Sequence, residues 1–120
     1  MREQVPRLKV STLGDVTVVA FLDRKILDEI GIAQIGDQFN ALVAQSDSPK
    51  FILDFSSVAH LSSSALGMLI TAQKRVRERG GQLALCGIQP AIQEVFIITR
   101  LNEVFDIYPA CQDALASLNR

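Results

Sequence analysis

The stretch Phe51-Ile52-Leu53-Asp54-Phe55, apolar at four of its five positions and bounded by Pro49-Lys50 and Ser56-Ser57, restricts the fold most. It is too short for an independent helix, and it lacks the alternation of a sheet with one wet face. Such a run suits a strand covered on both faces, as in a largely parallel sheet between layers of helices. Gln82 to Cys86 reads as another short strand and Val104 to Ile107 as a last one.

Before these, Leu8, Val10 and Thr12 alternate with Lys9 and Ser11, Leu13 to Asp15 punctuates, and Val16 to Leu22 resumes as a β-branched run, which predicts a β-hairpin. The intervening segments carry helical periodicity. Ile32, Ile35, Phe39, Leu42 and Val43 recur within Ile26 to Gln45, with Gly31 and Gly36 weakening the first turns. Ala65, Leu69, Ala72 and Val76 form a second stripe with Leu66 beside it, ended by four basic residues and Gly80-Gly81. Pro90 opens a third helix with Ile92, Val95 and Phe96 inward, and Gln112 to Leu118 is a short terminal one. The expected order is β-β-α-β-α-β-α-β-α, an α/β fold whose mixed sheet is covered by helices and joined by right-handed crossovers.

The chain of 120 residues is the size of one domain with one core. Twelve basic residues against thirteen acidic leave a net charge of −1, so no broad positive field invites a nucleic-acid backbone. With mean hydropathy +0.24, the apolar run near the N-terminus falls well short of the ~20 residues of a membrane span. Met1 to Pro6 precedes no signal core, so a cytoplasmic location is expected. Cys86 and Cys111 lack paired-motif spacing and are expected to be reduced, packed thiols, with no metal site and no cofactor.

Chemistry concentrates at His60-Leu61-Ser62-Ser63-Ser64-Ala65-Leu66-Gly67, where a strand meets a helix. One serine would cap the helix start; three exceed that need. A phosphate on this turn would meet unpaired N–H groups and the positive helix end, so modification need not unfold the chain. A plain cap and a phosphoacceptor turn both fit the local pattern. A hydrolase using a serine, His60 and Asp54 lacks the G-x-S-x-G elbow, Gly80-Gly81 is not followed by the G-K-[ST] of a P-loop, and the paired acids of a receiver domain are missing.

From Ile52 through Gly67, and on through Gly80-Gly81, Leu83 to Cys86, Val95-Phe96 to Leu101 and Phe105 to Ile107, the chain resembles the STAS domain family, in particular the bacterial anti-sigma factor antagonists. The resemblance implies a single STAS domain over residues 1–120 that is a binding module and kinase substrate, not an enzyme. Aligned on Leu66-Gly67, the family signature D-S-[ST]-G-L-G puts Ser62 at the aspartate, Ser63 at the phosphorylated serine, Ser64 at the second hydroxyl and Ala65 at the glycine. Ser64 and Ser62 follow Ser63 as alternative acceptors. Within Phe21 to Asp28, Asp23 and Asp28 are the candidates for the family's acidic surface motif.

The implied partners are an anti-sigma factor that is a serine protein kinase and a serine phosphatase; a homodimer is also compatible, and nucleic acid and membrane are not expected. The implied cycle is partner switching, in which the unphosphorylated antagonist binds the anti-sigma factor and phosphorylation weakens that binding. A STAS scaffold subunit of a stress-signalling or lipid-transport complex, without a phosphorylation cycle, is the alternative. Helical geometry places Gly67, Thr71, Lys74 and Glu78 on the outer face of the second helix, with Met68 and Ile70 at its margins, and leaves Ile97 near solvent. The expected partner surface comprises Ser62, Ser63, Ser64, Gly67, Met68 and Thr71, with Asp23, Asp28 and Ile97 contributing.

Overall fold

A computed structural model describes residues 6–118; the opening Met1 to Val5, on which part of the location argument rests, lies outside the described residues. The hairpin forms from β1 (Leu8–Leu13) and β2 (Val16–Phe21), paired antiparallel with Val10 opposite Val19. Gly14, at φ +65°, supplies the left-handed turn residue between them. Two short strands, β3 (Lys25–Ile26) and β5 (His60–Leu61), flank β4 (Lys50–Asp54); β6 (Gln82–Cys86) and β7 (Asp106–Tyr108) follow. The helices are α1 (Glu29–Ala44), α2 (Ser63–Glu78), α3 (Pro90–Ile98) and α4 (Cys111–Leu118).

The main sheet runs β1-β2-β4-β6-β7, with β2, β4, β6 and β7 mutually parallel and β1 the antiparallel edge. This is the expected mixed sheet with helices on its faces. On one face, Val19, Phe21, Phe51, Leu53, Leu83 and Leu85 meet α1, α2 and α3 in one continuous core. On the other face, among the described residues, Val16, Ile52, Ala84 and Cys86 meet α4 through Ala114 and Leu118. Alternation along each strand divides the two sets, since neighbouring side chains point to opposite faces.

Several boundaries differ from the sequence reading, each for a local reason. The helix expected from Ile26 begins at Glu29, because Lys25 and Ile26 pair in parallel with His60 and Leu61 and Asp28 then caps the helix. The last strand is Asp106–Tyr108, not Val104 to Ile107: Leu101–Glu103 forms a 3-10 turn that buries Leu101 and carries the chain past Val104. Val95 is only half-buried, whereas Ile92 and Phe96 are fully inward. Gln73, inside the apolar stripe of α2, is buried and donates through Nε2 to the Val104 carbonyl at 3.0 Å, tying α2 to the connection before β7.

Cys86 and Cys111 are not separate thiols: they form a disulfide that joins the end of β6 to the start of α4, with Cα atoms 5.2 Å apart. The cysteines are 25 residues apart in sequence, so only the crossover through α3 and β7 reveals that they meet. Gly81, between α2 and β6, backs directly onto Pro49; a Cβ there would collide with the Pro49 carbonyl oxygen, which fixes glycine at this crossing.

Candidate functional site

The site is built where the C-terminal end of β4 feeds α2. Beyond Asp54 the chain turns away from the sheet, with Val58 N–H donating to the Phe55 carbonyl at 2.9 Å. Asp54 Oδ1 accepts from the Ser56 N–H at 2.9 Å and the Ser56 hydroxyl at 2.5 Å, closing the turn. Asp54, weighed above as the orienting acid of a hydrolase, is thereby committed to its own loop. Among the described residues, exposed His60 makes no hydrogen bond to Asp54 or to a serine, so that triad is not assembled.

The chain next runs beside the segment that leads into α1. Ala59 N–H and His60 N–H both donate to the Arg24 carbonyl, at 2.8 and 3.3 Å, and Ser62 N–H donates to the Ile26 carbonyl at 3.1 Å. The small β3–β5 ladder therefore brings the stretch from Asp23 to Asp28 alongside the serine turn. Both helices then start within three residues of the ladder, Glu29 after Ile26 and Ser63 after Leu61, and pack against each other.

The three serines have different positions. Half-buried Ser62 has extended backbone and is the N-cap of α2, its Oγ accepting from the Ala65 N–H at 3.2 Å. That uses one of the unpaired donors of the helix start. Ser63 and Ser64 lie in the first turn of α2, and both are exposed. No acidic residue occupies that turn, so positive helix-end potential is not offset locally by a carboxylate. Ala65, buried and helical, carries its Cβ into the core without strain.

Gly67 and Thr71 are exposed on the outer face of α2, with the Thr71 hydroxyl donating to the Gly67 carbonyl at 3.2 Å. Met68 is half-buried: it packs near Gly36 of α1 and lines a void of about 10 Å³ with Leu8, Phe21 and Ile35. Ile70, on the opposite margin, is exposed.

Asp23 and Asp28 are adjacent to the turn but already have partners. The Asp23 carboxylate faces the Arg7 guanidinium at 3.2 Å through both oxygens, while Arg7 Nε donates to Gln34 of α1. Asp28 caps α1 by accepting from Gly31 N–H at 2.8 Å. Ile97 is 54% exposed, and Ile98 beside it more so. The structure thus brings the serines, Asp23 and Asp28 to one end of the molecule, with Gly67 and Thr71 extending that end along α2.

Leu27 and Ile30, flanking the Asp28 cap, were not singled out by sequence reasoning and are 50% and 72% exposed. Leu27 precedes the helix, and Ile30, in its first turn, lies outside the buried stripe of Ile32, Ile35, Phe39 and Val43. Asp54, Cys86 and Cys111 form a second cluster, with one potential metal-ligand atom from each lying within 4.8 Å of the others. Their sulfurs are bonded to one another, which leaves Asp54 as the only carboxylate in that group. The carboxyl of Asp15 is held below its ordinary value of 3.8 by a hydrogen bond from Lys50. This lies at the hairpin turn, beyond the opposite end of β4 from the serines.

With this geometry in place, relationships to known proteins are informative. The STAS domain model matches residues 10–114. BtrV of Bordetella bronchiseptica, named as an anti-sigma factor antagonist, is 30% identical over 78 residues, covering 63% of this chain and 67% of the relative. The structure of an anti-sigma-factor antagonist STAS domain protein from Planctomyces limnophilus superposes with a TM-score of 0.86 at 28% identity, covering 94% of this chain and 98% of that one. The Bacillus cell fate determinant SpoIIAA in its phosphorylated form shares the fold at a TM-score of 0.69 and 15% identity, covering 94% and 99%.

Proposed function

Because the chain belongs to the STAS domain family, we propose that it is an anti-sigma factor antagonist whose binding is switched by phosphorylation of Ser63. The observation that carries this reading is the division of labour in the serine turn, where Ser62 caps α2 and leaves Ser63 and Ser64 exposed at its first turn. The partner is a kinase-type anti-sigma factor, with a serine phosphatase to reverse the modification in the cytoplasm. The docking surface is the Ser62 to Ser64 turn with Gly67 and Thr71, edged by Met68, by Asp23 and Asp28 across the β3–β5 ladder, and by Ile97.

The physical logic needs no catalytic group in this chain. A phosphoryl group adds about −1.5 to −2 charge. At a helix N-terminus that charge is tolerated by the free molecule, but inside a packed interface it must be desolvated and opposes any carboxylate facing it. The same modification therefore leaves the fold intact and weakens the complex.

A second reading, a STAS scaffold without a phosphorylation cycle, is favoured by Ser62 standing where the family signature has its aspartate, which removes a negative charge beside the acceptor. Incubation with the cognate anti-sigma factor and ATP, followed by phosphopeptide mapping, separates the two. Modification at Ser63, with Ser63→Asp weakening the complex at least ~30-fold while retaining the wild-type unfolding midpoint, is the expected result. An unmodified turn and undiminished binding by Ser63→Asp would favour the scaffold.

A further inference from the structure

We propose that Cys86 and Cys111 are a reversible redox site, and that its disulfide controls the stiffness of the segment leading to the serine turn. The pair is built asymmetrically. Cys86 is completely buried at the end of β6, while Cys111 is half-buried in the first turn of α4. A small-molecule oxidant therefore reaches Cys111 first, and Cys86 is placed to resolve it.

With a low-molecular-weight disulfide as co-reactant the step balances. The Cys111 thiolate attacks one sulfur of the external disulfide, forming a mixed disulfide and expelling one thiolate. The Cys86 thiolate then attacks the Cys111 sulfur and expels the second. Two protein thiols are oxidised, one external disulfide is reduced to two thiols, and the protons leave the cysteines for the expelled thiolates.

The consequence for the serine turn follows from what Cys86 touches. It is in register with Asp54 on β4, and its carbonyl accepts the Phe55 N–H at 2.9 Å. The next residue, Gly87, has φ +68° and lies so close to Ser56 Oγ and Asp54 Oδ1 that no side chain fits. Gln89 Nε2 donates to the Ser56 carbonyl at 3.1 Å. The loop between β4 and β5 thus rests on the end of β6, and the disulfide fastens that end to α4. The main core lies on the other face of the sheet and does not depend on this bond. In the cytoplasm proposed above, disulfides are typically transient or redox-sensing, which is the behaviour expected of this pair. Any effect on partner binding rests on the serine-turn reading above; the redox site itself does not.

The test uses the full chain, fully reduced and then equilibrated with oxidised glutathione. Intact mass after alkylation, under denaturing conditions, should show both cysteines protected in the oxidised sample and both alkylated in the reduced one. Hydrogen exchange should slow about tenfold or more across residues 54–62 and α4 on oxidation. Cys111→Ser, substituted at the half-buried end, should abolish that difference, and Cys86→Ala should do the same. Thiols that remain alkylatable in oxidised glutathione would overturn the proposal, as would identical exchange of 54–62 in both states. Stoichiometric zinc uptake by the reduced chain, lost in Asp54→Asn, would replace it with a metal centre. None of these outcomes bears on whether Ser63 is phosphorylated, so the two readings fail separately.

Discussion

The two faces of the central sheet are secured by different means. Against α1, α2 and α3 lies a thick apolar layer, with Phe55 contacting Phe21 at 4.8 Å and Phe96 at 6.3 Å between ring centroids, and Phe96 in turn meeting Phe105 at 6.0 Å. Against α4 lies a thinner layer, built around Val16, Ile52, Ala84, Cys86, Ala114 and Leu118, and one covalent link. Burial scales with area, so the first face can lose a contact and still hold its helices, whereas an eight-residue helix on a thin layer has little reserve. The serine turn grows out of the thick face, and the device that can be opened without dismantling the core sits on the thin one.

Three substitutions probe this contrast. Phe55→Ala removes a fully buried ring at the centre of the aromatic series, and a loss of about 3–5 kcal/mol in urea unfolding is expected. A loss below ~1 kcal/mol would mean that the thick face is not the stabilising one. Cys111→Ser opens a loop set by a separation of 25 residues, and under oxidising conditions it should cost about 2–4 kcal/mol. In reductant the same variant should nearly match wild type, because the bond it lacks is absent from both. Ser62→Ala removes the side-chain cap of α2 and should cost about 1 kcal/mol with the cooperativity of unfolding unchanged. An unchanged midpoint would sharpen the picture differently, showing that the packing of α2, not its cap, sets the position of the turn.

Much of the thick face was legible from residues alone. The α2 stripe of Ala65, Leu69, Ala72 and Val76 is buried as its periodicity demands, and the uninterrupted apolar run of β4 has helices on both sides. What escaped reading was non-local or too short to have a period. Two-residue strands such as β3 and β5 carry no alternation, so Ile26 looked like the start of α1 and Asp28 like free surface instead of a cap. Gln73 breaks the apolar pattern of its helix, and its reason for being buried lies 31 residues away at the Val104 carbonyl. The cysteine pair was misread because spacing rules detect local motifs, whereas this bond depends on where a strand and a later helix end up. At the site, a capping serine at the start of α2 was legible in the sequence, but the prior engagement of Asp23 by Arg7 was not.

The β3–β5 ladder has a consequence in time. Lys25 pairs with His60 across 35 positions, and the ladder is only two residues long, so it offers little enthalpy to offset the closure of so large a loop. It is expected to close late in folding, after α1 and β4 have shortened the effective distance between its strands. Until then, the Ser62 N–H has no Ile26 carbonyl to meet, and the stretch from Asp23 to Asp28 has no fixed place beside the serines. A partner that reads both segments together would engage finished molecules and pass over nascent ones, so the smallest sheet in the protein would serve as a check on maturity.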